Sequence, residues 1–175
     1  MTILPMPAWL PDQPSHNNPG LITCKNVIAR TERSYGPFRD LAEYSNALAA
    51  RCQGAYAARD SGGNVNIFAG DATTLKRLSS ASPNFEDVSR TAGGAYATGA
   101  EEAWRFAQYG DRVIATNFGD DLQSYQFGVS SDFTPLAAAA PKGKYLAIWR
   151  DFLVLGHLQG FAQRVRWPAI DDATN

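Results

Sequence analysis

From Gly54 onward the chain alternates short β-favouring runs with clusters of Gly, Asn, Asp, Ser and Pro. A first unit reads GAYAARD, a turn at Ser61-Gly62-Gly63-Asn64, VNIFAG, TTLKRLS, a turn near Ser82-Pro83-Asn84, and FEDVSR. A second reads AWRFAQY, a turn at Gly110-Asp111, RVIATNF, a turn at Gly119-Asp120-Asp121, LQSYQFG, a turn, and FTPLA. A third reads KYLAIW, a turn at Arg150-Asp151, FLVLGHL, a loop around Gly160, and RVRWPAI. The turn residues tolerate the positive or fixed φ that tight reversals demand. The units recur roughly every 40–50 residues, the period of β-propeller blades, with residues 92–102 lengthening the first connection. In KYLAIW, Tyr145, Ala147 and Trp149 point one way and Leu146 and Ile148 the other, so both faces are apolar. A one-sided sheet would alternate polar and apolar residues; apolar faces on both sides fit a strand covered by neighbouring blades. The pattern predicts an all-β domain over residues 21–175, built of antiparallel hairpin repeats forming β-propeller-like blades, with Trp104 and Trp149 in its core.

Residues 1–20 have a different character. Pro5, Pro7, Pro11, Pro14 and Pro19 remove amide donors and favour extended geometry, so this segment reads as an extended arm. Its Trp9 is either an incidental hydrophobe on a loose tail or an anchor onto a partner or the chain's own core. Residues 22–30 (ITCKNVIAR) read as a first strand. Residues 40–51 carry the one helical spacing, through Leu41, Tyr44 and Leu48, but Ser45 and Asn46 interrupt it, and a meandering connection is the alternative. Propellers close with about four to eight blades, and the third unit lacks an outer strand before Asn175. Either the polypeptide is longer, or ITCKNVIAR supplies that edge.

The 175 residues include 45% apolar and 19% charged positions, an ordinary globular mixture. Sixteen basic against seventeen acidic side chains argue against a broad cationic surface for nucleic acid. Cys24 and Cys52 are too few and too far apart for a disulfide-held mini-domain and read as reduced thiols. A zinc site from Cys24, Cys52, His16 and His157 lacks any local ligand pairing and is set aside. No apolar run reaches the ~20 residues of a membrane helix, and the N-terminus has no signal-like stretch. No membrane association and no cofactor are expected, and the protein is expected in the cytoplasm unless it leaves as part of a larger particle.

Catalytic signatures such as G-x-S-x-G, H-E-x-x-H and G-x-x-x-x-G-K-[ST] do not occur, and two distant histidines leave few general bases, so no enzymatic activity is expected. The carboxylate pairs Asp120-Asp121 and Asp171-Asp172 suit calcium or glycosidase chemistry in principle, yet aspartates in turns ordinarily cap backbone amides. On a strand, QRVRW (163–167) places Arg164 and Arg166 on one face, and two adjacent guanidiniums suit a carboxylate or phosphate. A solvated face beside a core tryptophan is the simpler reading of the same residues.

Several ordered blocks resemble one family. They are P-x-W-x-P-D-x-P near the N-terminus, NPG at Asn18 to Gly20, KNVI at Lys25 to Ile28, QGAYAA at Gln53 to Ala58 and FAGDATTL at Phe68 to Leu75. WRFAQYGDRVIATN at Trp104 to Asn117, RDFLVLG at Arg150 to Gly156 and RVRW at Arg164 to Trp167 complete them. Together they resemble the N-terminal part of the tail hub or nozzle proteins of short-tailed phages, also described as packaged-DNA stabilisation or head-completion proteins. The resemblance implies a propeller-containing virion subunit of the tail, assembled in the host cytoplasm. It implies a six-fold homo-oligomeric ring beneath the portal and adaptor that carries later tail proteins and helps retain packaged DNA, with non-specific contact to that DNA. Trp9, Arg164, Arg166 and Trp167 are the expected partner contacts, because tryptophan and arginine dominate interface energetics. The competing expectations are a carbohydrate-binding propeller or sandwich using exposed Trp or Tyr beside turn aspartates, and a hydrolase using Asp120 or Asp121.

Overall fold

A computed structural model describes residues 7–31, 34–38, 42–79, 82–138, 140–170 and 172–173. They form antiparallel strands and connecting turns, with no helix among them. The chain divides into two compact units, Met1–Glu43 and Tyr44–Asn175. In the first, β1 (Val27–Thr31) pairs antiparallel with β2 (Ser34–Pro37). The strand expected over residues 22–30 thus starts five residues late; Asn26, with φ of 56°, breaks the extended path just before Val27. Because β1 pairs with β2, ITCKNVIAR does not edge the third sheet.

The second unit holds three consecutive meanders. The first sheet is β3 (Gly54–Arg59), β4 (Val65–Gly70), β5 (Leu75–Ser79) and β6 (Ser82–Asp87), paired in chain order. The second is β7 (Arg105–Tyr109), β8 (Arg112–Thr116), β9 (Gln123–Gln126) and β10 (Thr134–Pro135), also in chain order. The third is β11 (Gly143–Trp149), β12 (Phe152–Leu158) and β13 (Phe161–Arg166).

Two apolar clusters stack these sheets. Phe68 and Leu75 of the first sheet meet Val113, Ala115 and Tyr125 of the second, with Trp104 and Phe133 from the connections. On its other side the second sheet presents Ile114, with Leu122 and Leu136 beside it, to Leu153, Leu155 and Leu158 of the third. Strand β8 is therefore apolar on both faces because both are buried: Val113, Ile114 and Ala115 are each 0% exposed. Full burial of valine and isoleucine side chains such as Val113 and Ile114 contributes about 1.5–3 kcal/mol each.

Trp104 ties the first sheet to the start of the second. Its backbone N–H donates to the Gln53 carbonyl at 2.9 Å and its indole Nε1 to the Asp71 carbonyl at 2.7 Å. Gly70 leaves room for that indole, since a Cβ there would overlap the ring.

The second and third sheets open with hairpins in equivalent register. Tyr109 pairs with Arg112 across Gly110-Asp111, and Trp149 with Phe152 across Arg150-Asp151. The first turn residue has positive φ in both, 55° at Gly110 and 52° at Arg150. Arg105, Ala107, Tyr109 and Ile114 thus correspond to Tyr145, Ala147, Trp149 and Val154.

Several expectations change. The helix over residues 40–51 does not form in its described part, 42–51. Instead the Asn46 side chain accepts the Phe85 amide at 2.6 Å, the backbone-competing bond that makes Asn a poor helix former. Ser82, Pro83 and Asn84 are strand rather than turn, and Ser82 pairs with Ser79. Pro83 fits because β6 is an edge strand, where a missing amide costs no ladder bond. The last strand runs Phe161–Arg166, ahead of Pro168, rather than residues 164–170. Finally, only one of the two tryptophans expected in the core lies there: Trp104 is 4% exposed and Trp149 65%. Leu146 and Ile148 pack on the second sheet, while no further sheet of the same unit covers the Tyr145–Trp149 face among the described residues.

Candidate docking surface

The third sheet carries the largest concentration of unburied apolar side chains among the described residues. Register puts Tyr145, Ala147 and Trp149 of β11 on the same face as Phe152 and Val154 of β12, with Val165 of β13 beside Gly156. Tyr145 is 47% exposed, Val165 53% and Trp149 65%. Phe152 and Val154 are half-buried. The Arg105 guanidinium lies 4.9 Å from the Tyr145 ring centre and that of Arg150 lies 5.8 Å from that of Trp149, so cations edge this aromatic surface. Along β13 every residue is exposed, leaving an unpaired strand edge among the described residues.

The expected contact residues separate into three places. Trp9 belongs to the first unit, where it bridges to Leu21 and donates from Nε1 to the Ile22 carbonyl at 3.2 Å. Its backbone amide donates to the Tyr35 hydroxyl at 3.0 Å. The arm is therefore anchored on its own unit, although the indole remains 49% exposed. Arg164 stacks its guanidinium 3.8 Å from the centre of the Phe161 ring. Arg166, opposite Leu155 in the register, and Trp167 line one apolar cavity of about 220 Å³ with Leu122, Leu153 and Pro168. The strict alternation expected for QRVRW ends at Arg166, because the strand stops there and Trp167 turns to the same cavity.

The carboxylates are occupied by the turns that join the second and third strands of a sheet. Asp71 accepts the amides of Thr73 and Thr74 at 2.8 and 2.7 Å and the Thr74 hydroxyl at 2.7 Å. At the matching turn of the second sheet, Asp120 accepts the Ala97 amide, the Asn117 side-chain amide and the Arg90 guanidinium, each at 2.8 Å. Burial raises the pKa of both carboxyls, but these donors outweigh it and hold them below the ordinary range. With its lone pairs so engaged, Asp120 acts as a strut between the Arg90 segment and the turn after β8. Asp121 is exposed, 3.6 Å from Lys142. Asp171 lies outside the described residues.

Cys24 and His16 belong to the first unit, and Cys52 and His157 to the second. Cys52 donates to the Gly54 carbonyl, and the His157 ring packs edge-on to Phe118 and Tyr145. No cluster of metal-ligating side chains occurs among the described residues. No helix there is long and apolar enough to cross a membrane.

Sequence reasoning missed Tyr145, Trp149, Phe152 and Val154 as a surface. The signal was available: aligning AWRFAQY with GKYLAIW shows that the face of β7 which the third sheet covers corresponds to this face of β11. No protein-family model matches the sequence, and no curated protein matches it significantly.

Proposed function

We propose that this protein is a phage virion structural subunit. In this reading it is a tail hub, nozzle or head-completion protein that forms a six-fold ring below the portal and adaptor and helps retain packaged DNA. The carrying observation is the third sheet, whose apolar face and unpaired edge lie open beside a stack that buries every equivalent face. An apolar surface of this kind marks a site of subunit contact. Stacked antiparallel meanders of three and four strands suit propeller blades, the architecture that the family resemblance implies. Arg164, Arg166 and Trp167, all exposed on or next to β13, supply the polar and aromatic contacts toward the portal–adaptor side.

The test mixes purified protein with portal–adaptor rings at physiological salt and follows co-sedimentation. Association that weakens at least tenfold in Arg164→Ala/Trp167→Ala supports the role; no association refutes it.

A carbohydrate-binding reading has one observation of its own. Trp149 is an exposed flat aromatic next to the Asp151 turn, the combination that sugar-binding surfaces use. Glycan-array binding lost in Trp149→Ala, together with failure to bind portal rings, would favour it instead.

A further inference from the structure

We propose that residues 89–103, the connection from the first sheet to the second, form a strap that opens and closes as one unit while the sheets stay paired, and that the Arg90–Asp120 ion pair is its fastening. The strap lies in the middle of the chain and does not depend on the virion role.

The segment has little packing of its own. Its sequence, SRTAGGAYATGAEEA, is rich in Gly and Ala, and neither strand nor helix forms in it. Residues 91–95, 97, 99–101 and 103 are exposed, and Tyr96 is its one buried aromatic, edge-on to Trp104. A segment that buries so few apolar groups gains little from leaving water and belongs with the elements that open at low free energy. Toward its far end it stands off the body of the unit. There Thr98, Ala100 and Glu101 line an open cavity of about 370 Å³ with Arg51, Gln53 and Ala72.

What holds the segment is polar, and it gathers at one carboxylate. The Tyr96 and Thr98 amides donate to the Thr73 and Ala72 carbonyls in the turn between β4 and β5, each at 3.0 Å. The Ala97 amide between them points the other way, to Asp120 in the turn after β8. Arg90 then closes the loop. Its Nε donates to the Gly94 carbonyl at 3.0 Å, and one terminal nitrogen donates to the Ala95 carbonyl at 3.1 Å and to Asp120 at 2.8 Å. Gly93 and Gly94, with φ of 92° and 73°, supply the reversal this closure requires. The Arg90 and Asp120 side chains are only 10% and 13% exposed, and the guanidinium lies 4.5 Å from the centre of the Tyr96 ring. A buried guanidinium that loses its carboxylate is left uncompensated, so this pair fastens the closed strap as a whole. At the far end, bonds from Gln53 Nε2 to the Gly99 and Glu102 carbonyls and from Lys144 to Glu102 anchor the segment where β7 begins.

Native-state hydrogen exchange on the unaltered chain reads the opening. The Tyr96, Ala97 and Thr98 amides should share one opening, about tenfold or more as frequent as that of the Val113 and Ile114 amides in β8, with a shallower dependence on urea. Asp120→Asn and Arg90→Met should each raise the strap's opening about tenfold or more, and the double variant no further than the larger single effect, as two halves of one fastening must. Strap amides protected as strongly as those of β8 overturn the proposal, because the strap would then open only with the sheets. Amides 96–98 that exchange at unrelated rates without urea dependence overturn it too, because the segment would then be a fraying loop. Single effects that multiply in the double variant would show that Arg90 and Asp120 do not act as one clip. The exchange rates of the unaltered chain decide the first two outcomes even where a variant fails to fold.

Discussion

Replacing Trp104 and Trp149 in turn should separate a residue that holds the sheets together from one that waits for a partner. Trp104 is 4% exposed, sits edge-on to Tyr96 with ring centres 4.9 Å apart, and donates its indole N–H to the Asp71 carbonyl. Truncating a buried tryptophan to alanine costs about 3–5 kcal/mol. Leaving the Asp71 carbonyl without its donor adds about 1–3 kcal/mol. Against a total stability of roughly 5–15 kcal/mol for a domain, Trp104→Ala removes most of the margin. Trp104→Phe keeps most of the ring volume and isolates the lost donor, so it should cost about 1–3 kcal/mol. Trp149 keeps only a third of its surface out of water, so Trp149→Ala loses about 1 kcal/mol of burial. Its loose stacking with Arg150 adds about 0.5 kcal/mol at an exposed site. The assay is urea unfolding followed by far-UV circular dichroism, at dilutions where the protein is monomeric so that subunit contact adds nothing. Equal losses for the two alanine variants, or a Trp104→Phe variant as stable as the parent, would refute the reasoning.

Two further predictions concern pH. Asp71 and Asp120 have pKa values lowered below 3.8 in the fold, so their contribution to stability is complete above that value and disappears as pH falls through the lower folded value. Acid titration of stability should therefore fall steeply below about pH 4, and Asp120→Asn should flatten that limb while lowering stability at neutral pH; an unchanged acid limb in both Asp71→Asn and Asp120→Asn would contradict it. Tyr96 behaves oppositely: burial first of all pushes its phenol from 10.0 up to about 12, so its contribution is complete below pH 10 and is lost as pH rises toward 12. Tyr96→Phe should lose the alkaline decline in stability over that interval, measured by urea midpoints, and a persistent decline of the same size would count against the assignment.

The strands after Gly54 were legible because their signals are local. Period-two runs bounded by Gly, Asn and Asp leave little freedom in where a hairpin turns, and the Asp60–Asn64, Gly110–Asp111 and Arg150–Asp151 reversals all fall where composition puts them. The segment at residues 42–51 was not legible, because its alanines suit a helix by propensity while long-range bonds compete, the Asn46 side chain accepting the Phe85 amide and the Arg51 guanidinium donating to the Ala100 carbonyl. The docking surface shows the same division between local and global information. That KYLAIW is apolar on both sides follows from its letters, but whether each side is covered depends on how many sheets stand beside it. For β8 both sides are covered; for β11 only Leu146 and Ile148 are. Trp149 therefore occupies the position of the half-buried Tyr109 with the chemistry of a core residue and the exposure of a surface one. Several large apolar side chains held flat on a sheet make the kind of exposed patch that marks a contact surface, and only the neighbours of the sheet, not its own letters, decide that.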